Sequence, residues 1–386
     1  MLQDKTILLI SPQPWGKLFV SKHHYAVELV KRGNKVIFLS PPDYTLEEQF
    51  HTHQVQEGLI ELKYRPFFNT SLRFKFRWMY DTLMQVQLKQ LMSKIGERVD
   101  IVWCFDPNLY TNLKWFGASY AIYHPVDPVV YRYQIKPAAS ADIVLSVSQK
   151  ILSAFNSVNT PAHFINHGLS QSFAQQASEK LKNLNEFVTT TQSQPVKIGY
   201  VGNLLRQEMD RELLLQLIKT NNLLEFHFWG PYSLEGSNLA GSKDQATITF
   251  VKLLEEMPNV KLYGAVPASE IPTMIGDIDV FILLYDLAHG TSDRSNSHKI
   301  LEYLSTGKVV ISYSIEAYAG IGELIAVPHL DDREEYEKLF NEVIDNLSHW
   351  NSFSLQKERL LLALENTYHT QVNFIDKLIH VNTYES

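Results

Sequence analysis

Short apolar runs separated by amphipathic stretches recur along most of this chain. Residues 6–11 (TILLIS) are apolar and stop at Pro12, whereas 21–33 (SKHHYAVELVKRG) space their apolar positions at helical intervals and close on Gly33. Residues 35–42 (KVIFLSPP) form a second apolar run halted by two prolines. Strand, helix and strand joined by short connections predict a right-handed crossover and a parallel sheet. Further apolar runs at 100–105 (DIVWCF), 119–124 (SYAIYH), 142–148 (DIVLSVS) and 162–167 (AHFINH) extend that sheet.

From 170 to 195 the sequence turns polar, rich in Gln, Ser, Asn and Thr, and reads as a linker, partly helical. A second alternation then begins. VKIGYVG, LEFHFWG, VKLYGAV, DVFILLY and KVVISY read as strands, with DRELLLQLIKT, ASEIPTMIG and SHKILEYLSTG as helices between them. The tail from Asp331 is helical in pattern, through ENTYHTQVNFIDKLIH. The expected organisation is α/β, with doubly wound Rossmann-like domains at 1–172 and 196–366 joined by a 173–195 linker. In such sheets ligands bind outside the carboxyl ends of the strands. If the domains face each other, both sets of strand ends line one cleft where two substrates would meet.

Composition narrows the function classes. A chain of 386 residues exceeds the usual span of one core, and 45% hydrophobic with 20% charged residues suits two. A net charge of −7 argues against a broad nucleic-acid-binding surface. Cys104 is the only cysteine, so neither an intrachain disulfide nor a cysteine zinc site can form, which fits a reducing compartment. The first apolar run is too short for a signal peptide, and no run reaches the ~18 apolar residues of a membrane span. A cytoplasmic location is expected.

The most informative segment runs from Arg294 to Ser312. Asn296 is a good N-cap, and Gly307 ends the helix before the apolar run KVVIS. Lys299 falls in the first turn, where it opposes the helix dipole unless an anion is bound nearby. Glu302 is three residues on and shares its face. A cation for a diphosphate and a carboxylate for ribose hydroxyls would suit a nucleotide. An ordinary surface ion pair at that spacing, worth about 0.2–0.5 kcal/mol, fits the pattern equally well.

This segment resembles the donor-site signature of GT-B-fold glycosyltransferases, particularly the retaining family four group. The pattern N-P-x-K-x-x-E-Y-x-A-x-G-x-P-V-V is matched at Asn296, Lys299, Glu302, Tyr303, Gly307 and Val310. Ser297 replaces the proline, and Arg294 stands where a second acid is common. The resemblance implies that Lys299 contacts the diphosphate and Glu302 the ribose. It implies a donor loop at Gly202, Asn203 and Arg206, and backbone contact with the base from Gly264 to Val266. Catalysis would be metal-independent, with Arg206 and Lys299 stabilising the departing diphosphate. His289, Gly290 and Thr291 are candidates for the sugar, and Arg294, Ser295 and Asn296 complete the donor set. In the first domain Gly16 marks a loop near the diphosphate, and His124 and Asp127 a place beside the transferred sugar. The last helix, about 367–386, would cross back to the first domain.

Within the family the chain looks similar to enzymes of bacterial surface polysaccharide synthesis, including teichuronic acid types. That implies a UDP- or GDP-sugar donor as substrate, no cofactor, and a glycan or lipid-linked acceptor. A sugar-nucleotide epimerase of the same fold and a non-catalytic nucleotide-sugar binder are the alternatives. Asp277-Ile-Asp279 matches a metal-binding D-x-D, but it precedes an apolar strand and so falls at the wrong end. His23-His24 and His51/His53 lack carboxylates at metal-ligand spacing. Residues 63–80 mix Lys63, Arg65, Arg73, Lys75 and Arg77 with aromatics, which suits either an anionic membrane surface or an ordinary packed amphipathic segment.

Overall fold

The computed structural model describes residues 1–16, 19–184, 195–233, 244–288 and 296–384. The chain forms two compact units, one of residues 1–166 with 368–386 and the other of residues 167–367.

The first unit is built on β1 (Thr6–Ile10), β2 (Lys35–Leu39), β3 (Phe50–Gln56), β4 (Leu59–Tyr64), β5 (Ile101–Cys104), β6 (Tyr120–Tyr123), β7 (Ile143–Ser146) and β8 (Ala162–Phe164). They lie in the order β3-β4-β2-β1-β5-β6-β7-β8, parallel except for β3, which runs antiparallel to β4. The central strands are apolar throughout because both faces are covered. Leu8, Ile10 and Val102 face one core with Tyr80, Met84 and Leu88 of the helix Arg77–Ile95. Ile7, Leu9 and Trp103 face the other, under Tyr25 and Leu29 of the helix Ser21–Lys31 and Val372, Ile375 and Ile379 of the helix Tyr368–Tyr384. Cys104 is buried, and burial pushes its thiol well above the ordinary range.

The β3–β4 hairpin is invisible in the apolar pattern. β3 reads FHTHQVQ and is almost wholly exposed at the sheet edge, where polar residues discourage pairing with another chain.

The second unit carries β9 (Lys197–Val201), β10 (Glu225–Trp229), β11 (Val260–Gly264), β12 (Val280–Leu283) and β13 (Val309–Ser312), all parallel, in the order β11-β10-β9-β12-β13. The stretch read as a partly helical linker starts as a packed helix, Gln171–Lys182. Phe173 joins the unit's main core, and Ala177 and Leu184 pack on Leu360 of the helix Phe353–Glu365. Its apolar stripe is diluted by Gln, Ser and Lys, which is why composition reads it as a connector. Among the described residues no helix is long and apolar enough to cross a membrane.

Candidate functional site

In the second unit the chain leaves β9 outward on both sides, through β10 and β11 one way and β12 and β13 the other. The gap between the carboxyl ends of β9 and β12 is therefore the topological switch point of this sheet, the usual ligand crevice of an open α/β fold. A small depression opens there, lined by Tyr200, Arg206, Glu208, Leu284, Tyr285 and Lys299. The segment after β9 builds one wall. Asn203 Oδ1 accepts from the Leu205 amide (2.9 Å), a local turn that carries the chain to Arg206. Residues 208–210 then lie antiparallel to 284–286, with the Asp286 amide donating to Glu208 O (2.7 Å) and the Asp210 amide to Leu284 O (3.1 Å). Arg206 is exposed and forks onto Glu208, with donor distances of 3.0 and 2.7 Å. The guanidinium hydrogen bond holds the Glu208 carboxyl below its ordinary range, with Lys299 adding to the effect.

The helix His298–Leu304 forms the facing wall. It begins one residue later than an Asn296 cap implies: Ser297 holds the N-cap position with extended backbone and no side-chain cap bond. Gly307 ends the turn in the left-handed region (φ 79°), donating to Leu304 O (2.9 Å). Lys299 lies with Nζ 5.3 Å from the Tyr200 ring centre. Tyr303 is fully buried, stacks on Phe281 (4.3 Å), and accepts from the Val201 amide (2.8 Å) while donating to Val201 O (3.2 Å). It pins the helix to the carboxyl end of β9.

Glu302 is half-buried one turn from Lys299. Burial pushes its carboxyl up to about 7, with the Lys299 charge opposing. No hydrogen bond to this carboxylate occurs among the described residues.

Three neighbouring strands end in glycine. The Gly202 amide donates to Trp229 O (2.7 Å) and the Gly230 amide to Gly264 O (2.7 Å). Gly230, at φ 136°, approaches so closely that a Cβ there would lie 2.0 Å from the Gly202 carbonyl oxygen. This edge presents bare backbone, a surface against which a flat ligand can lie. Val266 is half-buried just beyond Gly264.

The other expected residues fall elsewhere. His289, Gly290, Thr291, Arg294 and Ser295 lie outside the described residues. Asp279 Oδ2 accepts from the Lys197 amide (3.0 Å) and Asp277 pairs with Lys197 Nζ (3.3 Å), at the amino ends of β9 and β12. In the first unit Gly16 and Asp127 are exposed. His124 is fully buried, its Nδ1 accepting from Trp103 Nε1 (3.3 Å) and its ring stacked on Phe105 (4.7 Å). It belongs to the aromatic core under the Ser21–Lys31 helix rather than to an accessible surface, because Tyr25, Trp103 and Phe105 enclose it.

Two residues stand out that the sequence does not mark. Glu208 competes for Arg206 inside the depression; its only signal is the two-residue spacing from that arginine. Lys22, 3% exposed, lies with Nζ 6.0 Å from the Phe105 ring centre. Burial lowers its ammonium to about 8, with Asp127 and Asp106 opposing.

No family model matches the chain, and no curated protein matches it. Solved structures do. The chain is similar to sucrose-phosphate synthase from Thermosynechococcus elongatus at 11% identity, covering 99% of this chain and 100% of that one with a TM-score of 0.67. It is similar to HepE of Anabaena, solved in complex with UDP and glucose, at 13% identity, 97% and 99% coverage and a TM-score of 0.65. An Escherichia coli trehalose-6-phosphate structure bound with UDP-2-fluoro glucose matches at 10% identity, 97% and 98% coverage and a TM-score of 0.63. The fold is the two-domain GT-B fold of glycosyltransferases.

Proposed function

We propose that this chain is a glycosyltransferase that moves a hexosyl unit from a UDP- or GDP-sugar to a hydroxyl of a glycan or lipid-linked acceptor. Glu302 supports the reading most. A half-buried carboxylate with a raised pKa and no hydrogen-bond donor among the described residues is costly to keep ionised. Two ribose hydroxyls would satisfy it. Lys299, one turn away, and Arg206, once released from Glu208, would neutralise the diphosphate. As the bond between the anomeric carbon and the diphosphate oxygen breaks and the acceptor oxygen bonds to that carbon, the electron pair leaves with the diphosphate, which takes up the acceptor's proton, and these two cations offset its charge without a metal ion. The backbone from Gly264 to Val266 would meet the base. UDP and glucose in the HepE structure and UDP-2-fluoro glucose in the Escherichia coli one support a donor of that class.

The match at Lys299, Glu302 and Tyr303 to the retaining family four pattern favours transfer with retention of configuration. The role proposed with it is assembly of cell-surface polysaccharide, in the cytoplasm at the inner face of the membrane. Arg294, standing where a second acid is common, favours a binding-only protein as the second reading.

A thermal-shift panel tests nucleotide binding. At about a hundredfold excess over Kd, UDP or GDP should stabilise the protein by roughly 2.7 kcal/mol, and Glu302→Ala should lose most of that gain. Equal stabilisation of parent and variant, or none by any nucleotide, defeats the assignment. Turnover of a UDP- or GDP-sugar with acceptor separates a transferase from a silent binder, and an epimer formed from donor alone would identify an epimerase.

A further inference from the structure

The segment 63–80 divides in the first unit. Lys63 pairs with Glu61 (3.6 Å) and Arg65 donates to Leu46 O (3.0 Å), so both serve the fold. Phe68 turns inward onto Tyr80. The remainder, from the short helix Leu72–Lys75 to the start of Arg77–Ile95, meets residues 131–136 across an open groove. Five cations line it: Arg73, Lys75, Arg77, Arg132 and Lys136. Between them stand the rings of Phe74, Tyr131 and Tyr133, and no lining residue is acidic.

These rings join two segments distant in sequence. Phe74 contacts Tyr131 (6.1 Å between centroids), and Tyr131 stacks on Tyr133 (5.3 Å). Arg73 lies over Phe74 and Arg77 over Tyr133, each 4.5 Å from the ring centre. Of the five cations only Arg77 meets a carboxylate among the described residues, that of Asp81 at 3.0 Å. In a chain of net charge −7 this is segregated positive charge. Next in sequence to the lining residues, Trp78 is 75% and Val130 73% exposed, and Phe76 is half exposed.

We propose that this groove and its apolar rim are a docking surface for an anionic lipid bilayer. Cations without carboxylate partners answer lipid phosphates, while Trp78, Phe76 and Val130 would enter the boundary between headgroups and acyl chains. An exposed valine and indole outside the groove gain nothing from a soluble phosphate ligand. A single-stranded nucleic acid would use the rings but leave Val130 in water. The surface stands without the nucleotide reading: failure here leaves Glu302 and its ligand untouched.

Vesicle flotation tests it with the full chain. Vesicles of phosphatidylglycerol and phosphatidylcholine in equal parts should carry the protein, pure phosphatidylcholine should not, and raised salt should release it. Each cation near the surface is worth about fivefold in partitioning, so Lys75→Gln/Arg132→Gln/Lys136→Gln should lower binding about a hundredfold. Trp78→Ser/Val130→Ser, a variant that keeps every charge, should also lose binding and guards against misfolding of the first. Matched melting temperatures qualify either variant. Absent flotation, equal flotation on pure phosphatidylcholine, or a change below twofold in both variants overturns the proposal. Release by millimolar inorganic phosphate would indicate a soluble phosphate ligand, and displacement by a single-stranded oligonucleotide a nucleic acid; either also overturns it.

Discussion

The two sheets each have a switch point, and the two are finished in opposite ways. In the second unit the carboxyl ends of β9, β10 and β11 reach glycine, the loop beyond β9 carries an exposed arginine, and one carboxylate waits half-buried. In the first unit the corresponding edge, beside β1 and β5, is filled. Trp15 packs on Phe38 and His23, Phe105 stacks on His124, and Lys22 is sealed beneath them. Even Asp106, just after β5, spends one carboxylate oxygen on the amides of Asn108 and Leu109. The topology offers a crevice in both places. Whether the crevice stays open depends on glycine and short loops in one unit and on aromatic bulk in the other.

Three substitutions would break or sharpen that contrast. The largest effect is expected at Gly230. A Cβ there meets the Gly202 carbonyl at 2.0 Å and demands a φ that L residues avoid, so Gly230→Ala should cost about 3 kcal/mol or more in a denaturant melt and lose nucleotide binding. A mild effect would mean that the bare edge is not tightly set.

Next comes pH. The folded Glu302 titrates near 7 instead of in the ordinary carboxylate range, and hydroxyl donors prefer its ionised form. Nucleotide affinity should therefore rise about tenfold between pH 6 and 8, and stay flat in Glu302→Gln. The unliganded protein should show the opposite sign. Its stability falls as pH climbs from the unfolded carboxyl value to about 7, because only the unfolded chain ionises freely there. Isothermal titration across that range checks the first statement, and urea melts check the second.

The smallest change concerns Lys22. Its folded pKa, near 8, lies below the ordinary 10.5, so its burial penalty is fully present below 8 and fades as pH rises towards 10.5. Lys22→Met should raise stability at pH 7 by on the order of 1–2 kcal/mol, with the gain shrinking in alkali. A loss of stability would mean that the ammonium is held by something more than burial allows.

Much of this architecture is legible in the chain because buried parallel strands must be apolar at every position. KIGYV, VFIL and VVIS cannot be mistaken for surface. Elements stabilised by neighbours instead of by their own pattern are harder to see. β3 has polar alternation only, and the 171–182 helix hides two buried apolar anchors, Phe173 and Ala177, among glutamines and lysines. At the site, Lys299 and Glu302 are visible because helical spacing brings them to one face. His124 reads like a polar residue at a strand end, yet its imidazole is enclosed by rings drawn from β5 and the Ser21–Lys31 helix. Such company is set by tertiary packing, and no local signal carries it.

The helix Tyr368–Tyr384 belongs to the first unit although the whole of the second is threaded before it. On the ribosome the earlier residues must wait, one flank of their sheet uncovered, until the helix that carries Val372, Ile375 and Ile379 has been made. The second unit, continuous from 167 to 367, has no such delay. A ribosome stalled before residue 368 would leave the 167–367 unit finished and the other unfinished, with greasy surface offered to chaperones.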